Sequence, residues 1–175
     1  MGKTCDMISD SGLPPVRRVV TGHDAQARAV FMADDEFPTR RIPSGDAAFT
    51  LLWTTATVPA DNNDETDGRL REAGLTLNQG SVIRVVDMLP GGVSPMHRTN
   101  SIDYGIVLSG EVELELDDGV KKTVGAGGII VQRGTMHLWR NPSATTPARI
   151  VFVLIEAPPY LHDGQPLPED KPEHR

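Results

Sequence analysis

The sequence predicts an all-β protein built as a single barrel with little helix, and three observations carry that prediction. Gly (17) and Pro (14) are abundant and punctuate short apolar runs, which spreads turn signals along the whole 175-residue chain. Glu111-Val112-Glu113-Leu114-Glu115-Leu116 alternates without a break, the period of a strand with one face buried. Helical periodicity is scarce. The length suits one domain, enough to bury a core and too short for two ordinary ones.

The elements follow in chain order. Residues 1–15 form a polar, proline-bearing tail, residues 16–162 the domain, with its barrel concentrated in about 81–156, and residues 163–175 a second tail; both tails are expected to be flexible. His23 to Met32 reads either as a short helix capped by Asp24 or as irregular chain, and Arg69 to Ala73 as one helical turn or irregular chain. Residues 49–58 are rich in β-branched and aromatic types and predict a strand. The acidic stretch 61–67 lacks the spacing and closing Glu of a calcium loop and reads as solvated. Further strands are predicted over 81–89, ending at Pro90-Gly91-Gly92, and over 104–108, ending at Ser109-Gly110. Residues 111–116 pair with 120–124 across the turn Asp117-Asp118-Gly119, and 129–131 and 149–155 complete the set.

Charge and composition exclude some functions. Lys and Arg total 17 against 24 Asp and Glu, a formal net charge of -7 that repels phosphate backbones, so nucleic acid is not an expected partner. No apolar run approaches the roughly 20 residues that span a bilayer. The amino terminus has no apolar stretch of the signal-peptide kind, and Asp6 stands where a myristoylation motif needs Ser or Thr. Cys5 is the single cysteine, so a disulfide framework is excluded and a cytoplasmic, reducing compartment is expected. Cys5 in a tail is also a poor nucleophile, and no Ser-His-Asp or Cys-His arrangement is apparent.

Two segments carry the candidate chemistry: Gly91 through Asp103 and on to Gly110, and Gln132 through Asn141. His97 and Asp103 would lie roughly 20 Å apart in extended chain, so both reach one ion only if Thr99-Asn100-Ser101 turns the chain back. His137 follows a Gly134 turn, and in a strand it would share a face with Trp139 and Asn141. Neutral imidazoles with one carboxylate suit Fe, Mn, Co, Ni or Zn and leave two or three positions open. Other residues stay ambiguous. Arg84 interrupts an apolar strand and either pairs with Asp87 or turns inward to hold a substrate carboxylate or enolate. Trp139 and Trp53 serve either packing or substrate stacking. His23, His162 and His174 read as ordinary core or surface residues, with His23-Asp24 a possible supporting pair.

These segments resemble the two motifs of the cupin superfamily. Gly91, His97, Thr99, Asp103 and Gly110 fall at the spacings of the first, and Gly134, His137 and Asn141 at those of the second, with Gln132 where Pro is usual. The resemblance covers about residues 81–156, and the run His-Arg-Thr-Asn-Ser-Ile-Asp-Tyr-Gly is similar to small single-domain cupins of fungal and bacterial secondary-metabolism genes. It implies a jelly-roll β-barrel that holds one divalent metal, with Fe the first choice, and a chain that forms a homodimer. Thr99 stands at the family's second histidine and Asp103 at its glutamate. The implied ligands are therefore His97, Asp103 and His137, with Thr99, Arg84, Tyr104 and Trp139 facing a small-molecule substrate. That set resembles the 2-His-1-carboxylate triad of non-haem iron oxygenases. The implied activity is oxidation with O2 of an aromatic, polyketide-like or 1,3-dicarbonyl compound. Decarboxylation, isomerisation or dehydration through an enolate is the rival, and a non-catalytic binding module the third reading.

Overall fold

The computed structural model describes residues 8–74 and 79–171. Nine strands build two sheets: β3 (Arg40–Arg41), β4 (Ala47–Thr55), β5 (Ser81–Met88), β6 (Ser101–Ser109), β7 (Glu111–Glu115), β8 (Lys121–Gly125), β9 (Ile129–Arg133), β10 (Leu138–Arg140) and β11 (Ala148–Glu156). Before them runs the hairpin of β1 (Val16–His23) and β2 (Ala29–Phe37), and after them the short pair β12 (Leu161–His162) and β13 (Gln165–Pro166). The large sheet has the order β3-β4-β5-β11-β6-β9 and the small one β10-β7-β8. This is an all-β jelly roll, in which two sheets cover each other's apolar faces.

Strand alternation places the core between the sheets. Ala47, Val86, Met88, Val107, Ala148 and Ile150 from the large sheet meet Val112 and Trp139 from the small one. The alternation at 111–116 works as predicted: Val112 is fully buried, while Glu113 and Glu115 pair on the other face with Lys121 and Arg140. The turn at 117–119 passes through left-handed backbone, with Asp118 and Gly119 at φ of 57° and 71°.

The stretch at 23–32 differs from both expectations. It is the turn and second strand of a hairpin. Asp24 accepts the amide N–H groups of Gln26 (2.9 Å) and Arg28 (3.0 Å), so its carboxylate closes a turn instead of starting a helix. Ala27 then adopts a left-handed φ of 58°, which a helix cannot pass through. Asp24 pairs with Arg28 and not with His23. The other expected helical turn is present one residue early, over Gly68–Leu70, where the Asp67 carboxylate accepts the Arg69 amide.

The hairpin docks on the outer face of β4 through Arg18, which is 8% exposed. Its guanidinium holds Asp35 (3.0 and 2.9 Å) and Asp67 (2.8 and 3.0 Å) and stands 5.8 Å from the Trp53 ring. Trp53 is thus packing beneath the hairpin. Asp64 and Asp67 tie the acidic stretch down through Arg71 and Arg18, so it is not simply a solvated loop.

The segments set apart as tails also make defined contacts. Ser9 is buried and accepts the Thr39 amide at 3.0 Å, and Asp10 donates its amide to Thr39. At the other end Asp170 forms an antiparallel bridge with Arg98, and Glu169 accepts the Asn100 amide at 2.9 Å. Cys5 and His174 lie outside the described residues. Among the described residues, no helix is long and apolar enough to cross a membrane.

Candidate metal centre

The two histidines meet through backbone pairing. After β9 the chain turns at Gly134, whose φ of +60° suits glycine, and reverses toward β10. This sets His137 antiparallel to His97, with amide-to-carbonyl bonds of 2.9 and 3.0 Å in the two directions. Their rings lie 4.2 Å apart, tilted by 49°. Each Nδ1 reaches the carbonyl two residues earlier, Pro95 O at 2.8 Å for His97 and Thr135 O at 2.9 Å for His137. A carbonyl oxygen only accepts, so each Nδ1 carries the proton and each Nε2 keeps its lone pair.

Both imidazoles are neutral at neutral pH. Burial drives His137 down to about 4, the neighbouring His97 adds to the shift, and the Thr135 carbonyl opposes it. Burial also lowers His97, against the Pro95 carbonyl and Asp170. Trp139 packs its edge on His137 at 5.9 Å and rests in turn on Phe152 at 5.1 Å. It is a core residue that walls the pair. Asn141, on the same face, donates its amide to Met88 O, Leu89 O and Thr146 O and fixes the following turn.

The chain bends at Asn100, between His97 and β6, as the turn residues predict. Thr99 is buried there, its hydroxyl 2.8 Å from that of Ser101. From Ser101, β6 alternates so that Ser101, Asp103, Gly105 and Val107 are buried. Asp103 sits opposite Gln132 on β9; with the Gln132 amide turned so that its nitrogen faces the carboxylate, it donates to Asp103 Oδ2 at 2.5 Å and accepts from the Gly134 and Thr135 amides at 3.1 Å each. Asp103 Oδ1 is buried without a partner. Burial raises this carboxyl to about 6, against the Ser101 hydroxyl and the charge of Arg84.

Arg84 takes the inward of its two possible positions. Asp87 stands three positions further along, so alternation along β5 puts the two on opposite faces, and Asp87 pairs with Arg149 instead. Arg84 is 9% exposed; one Nη donates to Gly74 O at 2.5 Å, while Nε is buried and unpaired. Burial lowers its pKa to about 10, with Asp103 the opposing charge. Gly105 leaves room on this face: a Cβ there would come within 3.1 Å of Phe152 and 3.7 Å of Trp139.

The structure brings together only part of the expected site. His97 and His137 converge, with Thr99 and Trp139 close in the chain or in contact. Tyr104 is a correction. It lies on the outer face of β6, opposite Val131 and Val153, and is 39% exposed, because its parity is opposite to that of Asp103. Among the described residues no three His, Cys, Asp or Glu side chains are placed to share one metal ion. Asp103 is instead turned toward Gln132 across the sheet. The donor chemistry nevertheless fits a divalent transition metal, since two neutral imidazoles present free Nε2 atoms and a buried carboxylate oxygen has no partner.

Sequence reasoning missed the role of Gln132, although its presence where the motif has Pro was the available signal. It missed Ser101 as well, whose hydroxyl carried no signal beyond its place in a turn.

Two facing sheets define a jelly-roll barrel, with buried His137 paired to half-buried His97. Comparison with known proteins gives the family. The profile of the cupin domain (Cupin_2) matches residues 84–154. The chain is 44% identical over 158 residues to the phomopsin biosynthesis cluster protein C' of Diaporthe leptostromiformis, covering 86% of this chain and 83% of that one. It is 36% identical over 163 residues to the cupin-domain-containing oxidoreductase fogC of Aspergillus ruber, covering 90% and 80%. The solved cupin domain of Schizosaccharomyces pombe Cnp3 superposes with a TM-score of 0.52 at 11% identity, over 80% of this chain and 87% of that one, a likeness of fold alone. The chain belongs to the cupin family.

Proposed function

We propose that this protein is a cupin oxidoreductase acting on a small oxygen-rich molecule, an aromatic, polyketide-like or 1,3-dicarbonyl compound. One divalent transition metal, iron first, would be held by His97 and His137 with Asp103 as the anionic member. The observation that carries this reading is the histidine pair, with both Nδ1 atoms tied to carbonyls and both Nε2 atoms free. Similarity to proteins named as cupin-domain-containing oxidoreductases supports the reaction class.

When bound, the ion would supply Lewis acidity and, if iron, O2 activation at neutral pH. The protein's own contribution is orientation and charge. The carbonyls of Pro95 and Thr135 fix ring direction and keep the imidazoles in the ligating tautomer. Arg84 offers a buried cation to negative charge that develops on a substrate oxygen. Trp139 and Phe152 close the wall behind His137 against water.

Metal analysis is the test. Protein purified without chelators is expected to carry about one transition-metal ion per chain, and His97→Ala or His137→Ala to lower occupancy about tenfold or more. A wild-type preparation without stoichiometric metal would remove the oxidoreductase reading and leave a binding role. With metal present, oxygen uptake across a panel of phenols and β-dicarbonyls is expected; CO2 release without uptake would replace oxidation by decarboxylation.

A further inference from the structure

One cation beside the histidines has no part in that scheme. Arg98 follows His97, and its main chain is locked to Asp170 by bonds of 2.8 and 3.0 Å. Its side chain makes one long bond, Nη1 to Pro168 O at 3.5 Å, and its Nε is buried without a partner. Among the described residues it has no ion-pair partner, although the chain carries a formal net charge of -7. A half-buried guanidinium left this way has hydrogen-bonding capacity to spare.

Arg98 is also one wall of a half-open cleft of about 440 Å³. Leu114, Leu116, Val131, Met136 and Leu167 make most of that cleft apolar, and its charged members are Arg98, Arg133 and Asp117, a net excess of one positive charge. Its walls include the neighbours in sequence of both histidines, Arg98 after His97 and Met136 before His137. Tyr160 and Leu167 close it from the C-terminal side, where Leu167 N donates to Tyr160 O at 2.9 Å and Glu169 holds Asn100. That acid is itself occupied by the Asn100 amide and Lys171, so it does not neutralise Arg98.

We infer that this cleft binds a small apolar acid, its anion on Arg98 and its ring body against the leucine, valine and methionine wall. The ligand class is a monoanionic aromatic or fused-ring carboxylate or phenolate. The inference narrows the substrate class proposed above, but the binding step it describes requires no metal.

The test uses the purified full-length chain, with metal content recorded for every preparation, and two isosteric probes, 2-naphthoate and 2-naphthylmethanol, titrated calorimetrically. Wild type is expected to prefer the acid by about tenfold or more, the worth of a hydrogen bond to a charged group. Arg98→Gln should erase the preference while binding of the alcohol stays within about threefold, which also reports an intact fold; Arg98→Lys should keep part of the preference. Equal binding of acid and alcohol by wild type overturns the inference, as does a preference that survives Arg98→Gln. A preference abolished by Arg84→Gln but not by Arg98→Gln also overturns it, because the anion then sits in the barrel interior. A metal-free wild type that still prefers the acid through Arg98 would sink the redox reading and leave this one standing.

Discussion

Strand β5 presents a charged residue to each face of the large sheet, and the two environments differ in kind. On the outer face Asp87 is fully buried and its oxygens are saturated: Arg149 donates to both (2.6 and 2.8 Å), and Ser11 (2.5 Å) and Thr39 (2.6 Å) to one. Arg149 in turn donates to Pro14 O at 2.8 Å. On the inner face Arg84 and Asp103 are also buried, yet Arg84 Nε and Asp103 Oδ1 have no partner. A buried polar cluster whose groups are all matched holds a structure together, whereas one with open valences is built for something the chain does not itself supply. The outer cluster staples Ser11 and Pro14 to the sheet; the inner one faces the barrel.

The sharpest way to break this comparison is Asp87→Ala. It strands the Arg149 guanidinium and two hydroxyls, and a loss of about 3–5 kcal/mol of unfolding free energy in urea is expected. A loss below about 1 kcal/mol would mean that saturation is not what holds the outer face. The inner cluster should respond in the opposite sense. Replacing both members, Arg84→Met with Asp103→Leu, is expected to leave stability within about 1 kcal/mol of wild type or to raise it, while metal binding is lost. A drop comparable to that of Asp87→Ala would make the two clusters alike. The smallest effect concerns the hairpin. The hydrogen bonds from Arg18 hold the Asp67 carboxyl below its ordinary value, so its contribution is present above that value and fades as pH falls through the lower folded one. Asp67 is partly exposed, so Asp67→Asn should cost under about 1 kcal/mol at pH 7, and Trp53 fluorescence should report hairpin loosening only below pH 3.8.

Most of the barrel could be read from the chain because half-buried strands advertise themselves by alternation, as 111–116 do, and because the continuous apolar run 150–155 marks a strand in the middle of a sheet, where β11 lies between β5 and β6. The hairpin β1–β2 could not. Its strands carry charges on the exposed face and end in Asp24, whose carboxylate signals a helix cap and an Asx turn equally well. At the site, motif spacing located His97 and His137, and their convergence is visible in the structure. The position of Asp103 depends on Gln132 across the sheet, a contact between residues 29 apart that no local pattern encodes. Tyr104 differs from Asp103 for a simpler reason: being next to it in a strand places it on the other side of the sheet.

The position of β11 has a consequence for how the protein is made. It is the central partner of both β5 and β6, pairing Arg149 with Asp87 on one side and Val153 with Tyr104 on the other. Both neighbours leave the ribosome well before it, and each waits with an open apolar edge until residues 148–156 emerge. A nascent or truncated chain that stops short of Ala148 therefore carries two unsatisfied strands and is a natural client for chaperones, however stable the finished barrel becomes.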